Sequence, residues 1–264
     1  MPRATSTEFQ YDRAGNKTTE ARYYAKANAY TGTQTLAQLR PANTAARVTV
    51  TAYDGANQVT SVTTLPDNTV TVYAYDNAGQ LISTTAAYGT GEARTQQARY
   101  DRQGRITQEL SGEGSAALAA ARQPPPRTQI DAIWNQYGLA HSYDAAGRRI
   151  STTDANGHQT LFYYDASGRL THTVNALGEV TETRYNAFGE AEATRRYTNR
   201  ISTAGLTGGL LAPDLQDRLA AIADAATDRT GAINYTLRGA VRQALDALGN
   251  TTSNTYNAFG ERAS

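Results

Sequence analysis

The chain has 264 residues, of which 25 are basic and 24 acidic, for a formal net charge of +1. So even a balance excludes a field of one sign that would draw in nucleic acid or anionic lipid, and the lack of cysteine excludes disulfides and thiolate chemistry. No apolar run is long enough to cross a membrane as a helix, and residues 1–20 lack the apolar middle of a signal peptide.

Hydrophobic residues make up 39% of the chain, much of that alanine, so a thick sandwich core is hard to fill. The mean hydropathy is -0.57. Seventeen tyrosines and abundant threonine suit sheets in which amphipathic side chains cover a thin layer and keep their polar tips wet.

Taken in order, the chain repeats one phrase. FQYDRAGNKTTE holds Tyr11, Asp12 and Gly15, and AYDGANQVTSVT holds Tyr53 and Asp54 two periods later. There Asn57 stands where glycine is usual, a swap that asparagine's tolerance of the left-handed region permits. Tyr75-Asp76 with Gly79 and Tyr100-Asp101 with Gly104 follow. From Tyr143-Asp144 with Gly147 the interval becomes fixed: Tyr164-Asp165 with Gly168 and Tyr185-Asn186 with Gly189 each come 21 residues further on. A shorter phrase falls midway, ending in Gly157 and Gly178, so the glycines step by 10, 11, 10 and 11. After residue 227 the same steps resume with Tyr235, Gly239, Gly249, Tyr256-Asn257 and Gly260.

This spacing has a mechanism. Asp and Asn bond their own backbone in a turn and Gly supplies positive φ, while the Thr, Tyr, Val, Leu and Ile between turns fit a pleated surface. The pattern predicts an all-β fold, an antiparallel array of β-hairpins in which one hairpin is one repeat that cannot stand alone. Residues 1–264 are expected to form one continuous array. The tyrosines are expected to pack on the next repeat.

Three stretches break the pattern and are expected to be insertions near 35–47, 112–133 and 201–227. The last predicts a helix over 213–227, with Pro213 in its first turn and Leu215, Leu219, Ile222 and Ala226 on one face. Insertions at turns are expected to leave the strands undisturbed.

The phrases YDRAGN, YDNAGQL, YDRQGRI, YDAAGRRI, YDASGRL and YNAFGE resemble the YD repeats of the Rhs family. That family includes bacterial Rhs polymorphic toxins, the C components of insecticidal toxin complexes, wall-associated proteins and teneurins. The resemblance covers nearly the whole chain outside the three insertions. It implies a strip of β-sheet that spirals into a hollow shell, which in bacterial members encloses a C-terminal toxin, and a secreted or cell-surface location in a bacterium. Bacterial shells usually close with a segment carrying an Asp-Pro-type cleavage site. No Asp-Pro step occurs here, so the chain reads as a piece of wall without that apparatus or the cargo, and the family's protease residues map onto no residue.

Other motifs read as structural. Gly112-Glu113-Gly114-Ser115-Ala116-Ala117 imitates a dinucleotide fingerprint but lacks its βαβ context, and reads as a turn opening an inserted helix. His141, His158 and His172 are not at ligand spacing. Each turn supplies one carboxylate where a calcium loop supplies several, so neither metal nor cofactor is expected. Pro124-Pro125-Pro126 between Arg122 and Arg127 reads as a stiff linker rather than an SH3 ligand. No nucleophile stands fixed beside a base, so no enzyme is expected. Two functions remain: a non-catalytic shell segment, whose partners are the remaining shell repeats and an enclosed toxin, or an adhesive module in which tyrosines and insertions meet a glycan or cell-surface receptor.

Overall fold

A computed structural model describes residues 6–24, 26–40, 47–121 and 124–263, and these hold eighteen strands and four short helices. The chain divides into two compact units, residues 1–138 and 139–264. Unit 1 contains β1 (Ser6–Tyr11), β2 (Lys17–Tyr23), helix α1 (Leu36–Leu39), β3 (Arg47–Tyr53), β4 (Val59–Leu65), β5 (Thr69–Tyr75), β6 (Leu81–Ala86), β7 (Arg94–Tyr100) and β8 (Ile106–Leu110), then α2 (Gly112–Ala120) and α3 (Arg127–Tyr137). Its eight strands form an antiparallel meander in which each pairs with the next.

Unit 2 follows β9 (Gly138–Tyr143) with β10 (Arg149–Thr153), β11 (Gln159–Tyr164), β12 (Leu170–Val174), β13 (Val180–Tyr185), β14 (Ala191–Arg196), β15 (Gly209–Leu210), α4 (Pro213–Ile222), β16 (Arg229–Tyr235), β17 (Val241–Leu245) and β18 (Thr251–Ser253). It is again an antiparallel meander, with β14 pairing directly to β16. The 10- and 11-residue steps are thus a strand of five to seven residues plus a tight turn.

The insertions supply the cores that the thin sheet lacks. In unit 1, α2 and α3 bury Leu110, Ile133 and Trp134. Helix α3 runs on to Tyr137, past the expected limit of 133. Gly114 of the imitation fingerprint is a packing glycine: a Cβ there would stand 2.5 Å from Leu110 Cδ1 and 2.6 Å from Tyr137 Cβ. In unit 2, Leu161, Val174 and Val180, directly opposite one another on three paired strands, form a row that Leu215 and Leu219 of α4 cover together with Tyr197 and Ile201. Helix α4 is shorter than expected. It ends at Ile222, because Asp224 turns the chain by accepting from the backbone N–H groups of Thr227 and Asp228, and Ala226 lies beyond it.

The third insertion does disturb the strands, contrary to expectation. β15 pairs in parallel with Tyr163 and Tyr164 of β11, at the level where β10 would otherwise continue the ladder. Gly208, at φ +75, passes so close that a Cβ would overlap the Ile150 carbonyl oxygen. Only glycine lets backbone in so near. The same insertion docks on a turn, where the Ile201 N–H donates to the Gly178 carbonyl at 2.9 Å.

Candidate functional site

The recurring residues converge on one device, a turn that is bonded to itself and to its neighbour. In the signature turns the carbonyl of the Asp or Asn, or of Thr236, accepts from the N–H three residues on, that of Gly or of Asn57, as at Asp165 and Gly168 (2.9 Å). The Asp or Asn Oδ1 also accepts from the backbone N–H groups two and four residues on, as in Ser167 and Arg169 (both 2.9 Å). The same bonds recur at Asp12, Asp54, Asp76, Asp101, Asp144 and Asn186, and at Asn257. They recur too at the opposite ends of the strands, in the turns closed by Gly157, Gly178 and Gly249. The closing glycines Gly15, Gly79, Gly104, Gly147, Gly168, Gly189, Gly239 and Gly260 all have positive φ, and Asn57 takes their place at φ 61.

The signature tyrosines face the preceding repeat rather than the next one. Each hydroxyl donates to the first carbonyl of the preceding hairpin's return strand: Tyr53 to Lys17, Tyr75 to Val59 and Tyr100 to Leu81 in unit 1. In unit 2 Tyr164 donates to Arg149, Tyr185 to Leu170, Tyr235 to Ala191 and Tyr256 to Val241, at 2.7 to 2.9 Å. The reason is a bulge: the register shifts between Tyr164 and the residue before it, and likewise at Tyr53 and Tyr185. A bulge re-aims a side chain and leaves a ladder group unpaired, and the next tyrosine supplies the missing donor. Tyr11, first in the series, is exposed, and Tyr143 closes β9.

Sequence reasoning missed the residue four places after each Asp or Asn. In most turns that begin with Asp, that residue meets the carboxylate: Arg105, Arg148 and Arg169 each donate to it at 2.7 Å, Asn16 and Asn250 donate at 3.0 and 2.8 Å, and His158 Nδ1 lies 3.1 Å from it, whereas Gln58 donates instead to the Gly79 carbonyl. Where it begins with Asn, the residue is Glu, and the amides of Asn175, Asn186 and Asn257 donate to Glu179, Glu190 and Glu261. The exchange of Asp with Arg for Asn with Glu keeps donor opposite acceptor, and it is readable in the sequence.

These bonds depress the turn carboxylates. The backbone N–H of Arg169, followed by its guanidinium, holds Asp165 below the usual 3.8, and Arg105 does the same for Asp101. Asp144 is lowered even against its own burial, which the N–H and guanidinium of Arg148 outweigh. A carboxylate with a folded pKa below its unfolded value adds stability that is present above the unfolded pKa and lost as pH falls through the folded one. The melting temperature is therefore expected to hold above the unfolded carboxylate pKa of about 4 and to fall as the pH drops below it through the folded values. Thermal melts across that range check it, and Asp165→Asn should flatten part of the slope.

Gly168 tests the turn itself. A Cβ there meets only Arg148 Cδ at 4.0 Å, so space is not limiting and φ +79 is. Gly168→Val is expected to cost about 1–3 kcal/mol more than Ala166→Val at a free turn position. Equal melting temperatures for the two variants would count against the turn.

The structure leaves the three histidines apart. His141 Nδ1 lies 3.0 Å from Thr152 Oγ1, His158 belongs to its turn, and His172 Nδ1 lies 3.1 Å from Thr171 Oγ1. Among the described residues no cluster of three metal-binding side chains occurs. Pro126 caps α3, whereas Arg122, like Pro41 and its neighbours 42–46, lies outside the described residues.

A polar network borders the unit 2 core on the same sheet face. His172 pairs across from Glu182, and Glu182 from Arg195. Burial lowers the His172 pKa and outweighs the Glu182 charge, which acts to raise it. The Tyr197 hydroxyl donates to Glu182 at 2.9 Å, and burial with that bond pushes its pKa to about 12. Arg195 stacks on the Tyr197 ring and donates to the fully buried Asp228, which also accepts from the Thr198 N–H. Beside this network a cavity of about 350 Å³ is lined by Glu182, Arg184, Ala193, Arg195, Ala225 and Ala232. Its Glu182 and Arg195 are tied into hydrogen bonds and an ion pair, an arrangement that holds the insertion to the sheet.

The RHS Repeat family model matches residues 53–90, 143–180 and 164–200. No curated protein matches the chain. Among solved structures, the crystal structure of TcdB2-TccC3 is similar at 15% identity and TM-score 0.37, over 97% of this chain and 16% of that one. That of TcdB2-TccC3-Cdc42 is similar at 15% identity and TM-score 0.34, over 96% and 16%. The Photorhabdus luminescens Tc holotoxin pore gives 15% identity, TM-score 0.34, 96% and 16%. The chain thus spans about a sixth of the length of these structures.

Proposed function

We propose that the chain belongs to the Rhs/YD-repeat family, whose repeat model matches three of its stretches, and that it is a non-catalytic segment of an Rhs-type shell wall, secreted by a bacterium, that helps to enclose and deliver a toxin. The observation that carries this reading is the tyrosine ladder. Each repeat donates a hydroxyl to the bulge carbonyl of the repeat before it, so neighbouring hairpins are fastened by more than strand pairing. Such a wall extends by adding repeats, because each interface is alike. Its partners are then the remaining repeats of the wall and the enclosed toxin. The tyrosines that a glycan platform would use have their hydroxyls committed to backbone.

The test uses the full-length gene product that carries this segment. Limited proteolysis should leave its C-terminal portion intact while the shell is folded and degrade it once the shell is denatured. Cleavage of that portion as fast in the native protein as in isolation would defeat the reading.

A further inference from the structure

The last three signature turns differ from the earlier ones at their tips. The two free turn positions hold Arg13-Ala14, Asn77-Ala78 or Ala166-Ser167 earlier, but Ala187-Phe188, Leu237-Arg238 and Ala258-Phe259 at the end. Phe188 is 88% exposed, Leu237 107% and Phe259 89%. All three tips lie at the same end of the unit 2 strands, because each follows an upward strand of one meander, and neighbouring turns there stand two strands apart, about 10 Å. The Arg238 Nη1 donates to the Ala258 carbonyl at 2.8 Å and ties the second turn to the third. Between the first and second a cavity of about 430 Å³ opens, lined by Phe188, Leu237, Glu190, Glu192 and Arg238.

We propose that this edge pairs two copies of the chain. Isolated exposed apolar residues are ordinary, but three in a continuous row mark a contact surface. The charges around it select the occupant. Glu190, Glu192 and Arg238 carry opposite signs side by side, and among the described residues none of them is in an ion pair. A two-fold contact needs a patch complementary to itself. This one is: turned about a two-fold axis, Arg238 of one copy faces Glu190 and Glu192 of the other while the apolar tips meet between them. A partner of uniform charge would leave one sign unmatched.

Sedimentation of the chain over a concentration series is the test. Wild type is expected to dimerise reversibly. The triple variant Phe188→Ser, Leu237→Ser, Phe259→Ser should raise the dissociation constant by roughly tenfold or more, the effect of removing central contacts. Its tips are solvent-exposed, so far-UV circular dichroism and melting temperature should stay at wild-type values. Arg238→Glu and Glu192→Arg should each weaken self-pairing, and an equimolar mixture of the two should recover a dimer. A wild type that stays monomeric throughout, a triple variant that associates as wild type does, or a mixture that recovers nothing would overturn the proposal.

Discussion

Leu215→Ala is expected to destabilise the protein by about 2–5 kcal/mol, the range for removing a fully buried leucine from a packed site. Leu215 has 0% exposure and lies in the largest buried cluster, against Leu161, Val174 and Val180 of the sheet. The sheet cannot close the gap by collapsing, because its strands are fixed on both sides by ladder bonds. The same change at Leu206, which only borders the cluster, should cost less. Denaturant melts of the two variants decide between a helix that is part of the core and one that merely decorates a turn. Similar midpoints for Leu215→Ala and wild type would assign the helix the second role.

How much of this was legible follows from how local each feature is. The turns could be read because Asp or Asn, two free residues and Gly satisfy a requirement that lies within five residues. Asn57 could be read as a stand-in for glycine on the same ground, and its φ of 61 agrees. The direction of the tyrosines could not be read in this way. A hydroxyl that reaches 15 residues back from Tyr185, or 44 back from Tyr235 across an insertion, depends on a bulge that leaves no mark in the hydrophobic pattern. The partner four places after each Asp or Asn was in plain view, since Arg follows Asp at Asp144 and Glu follows Asn at Asn186.

The insertions were visible as breaks in the period, but their packing was not. Pro213 and the spacing of Leu215 and Leu219 point to a helix, yet its end is set by Asp224, whose side chain accepts from the Ala226 N–H and competes with the helical bond. β15 has two residues, too few for alternation to register. The buried Asp228 looked like any charged residue between two elements. Its partners Arg195, Thr198 and Asp224 come from 33, 30 and 4 residues away, and only the fold brings them together.

Gly208→Val should have the second large effect, and it tests the least legible feature. The position combines two costs. A β-branched residue is strained at φ +75, and its Cβ would overlap the Ile150 carbonyl oxygen and press on that of Phe162 at 3.1 Å. Backbone strain of about 1–3 kcal/mol and overpacking of about 1–3 kcal/mol together predict a loss of about 2–6 kcal/mol. Phe162 is held in the ladder opposite Thr173, and Ile150 is the bulged residue between the paired Arg149 and Ser151, so relief has to come from β15 itself. The expected outcome is release of β15 from β11, which frees the Leu211 N–H from the Tyr164 carbonyl and uncovers the core under α4. Hydrogen exchange should then speed up over residues 201–222 and leave the hairpins of unit 1 protected. The control is Gly205→Val, at a similar φ of +79 but with nothing within 4 Å of its Cβ. That variant bears the strain without the overlap, so the difference between the two isolates the passage of the insertion between β10 and β11. Equal losses at both positions would mean that the close approach contributes nothing to stability.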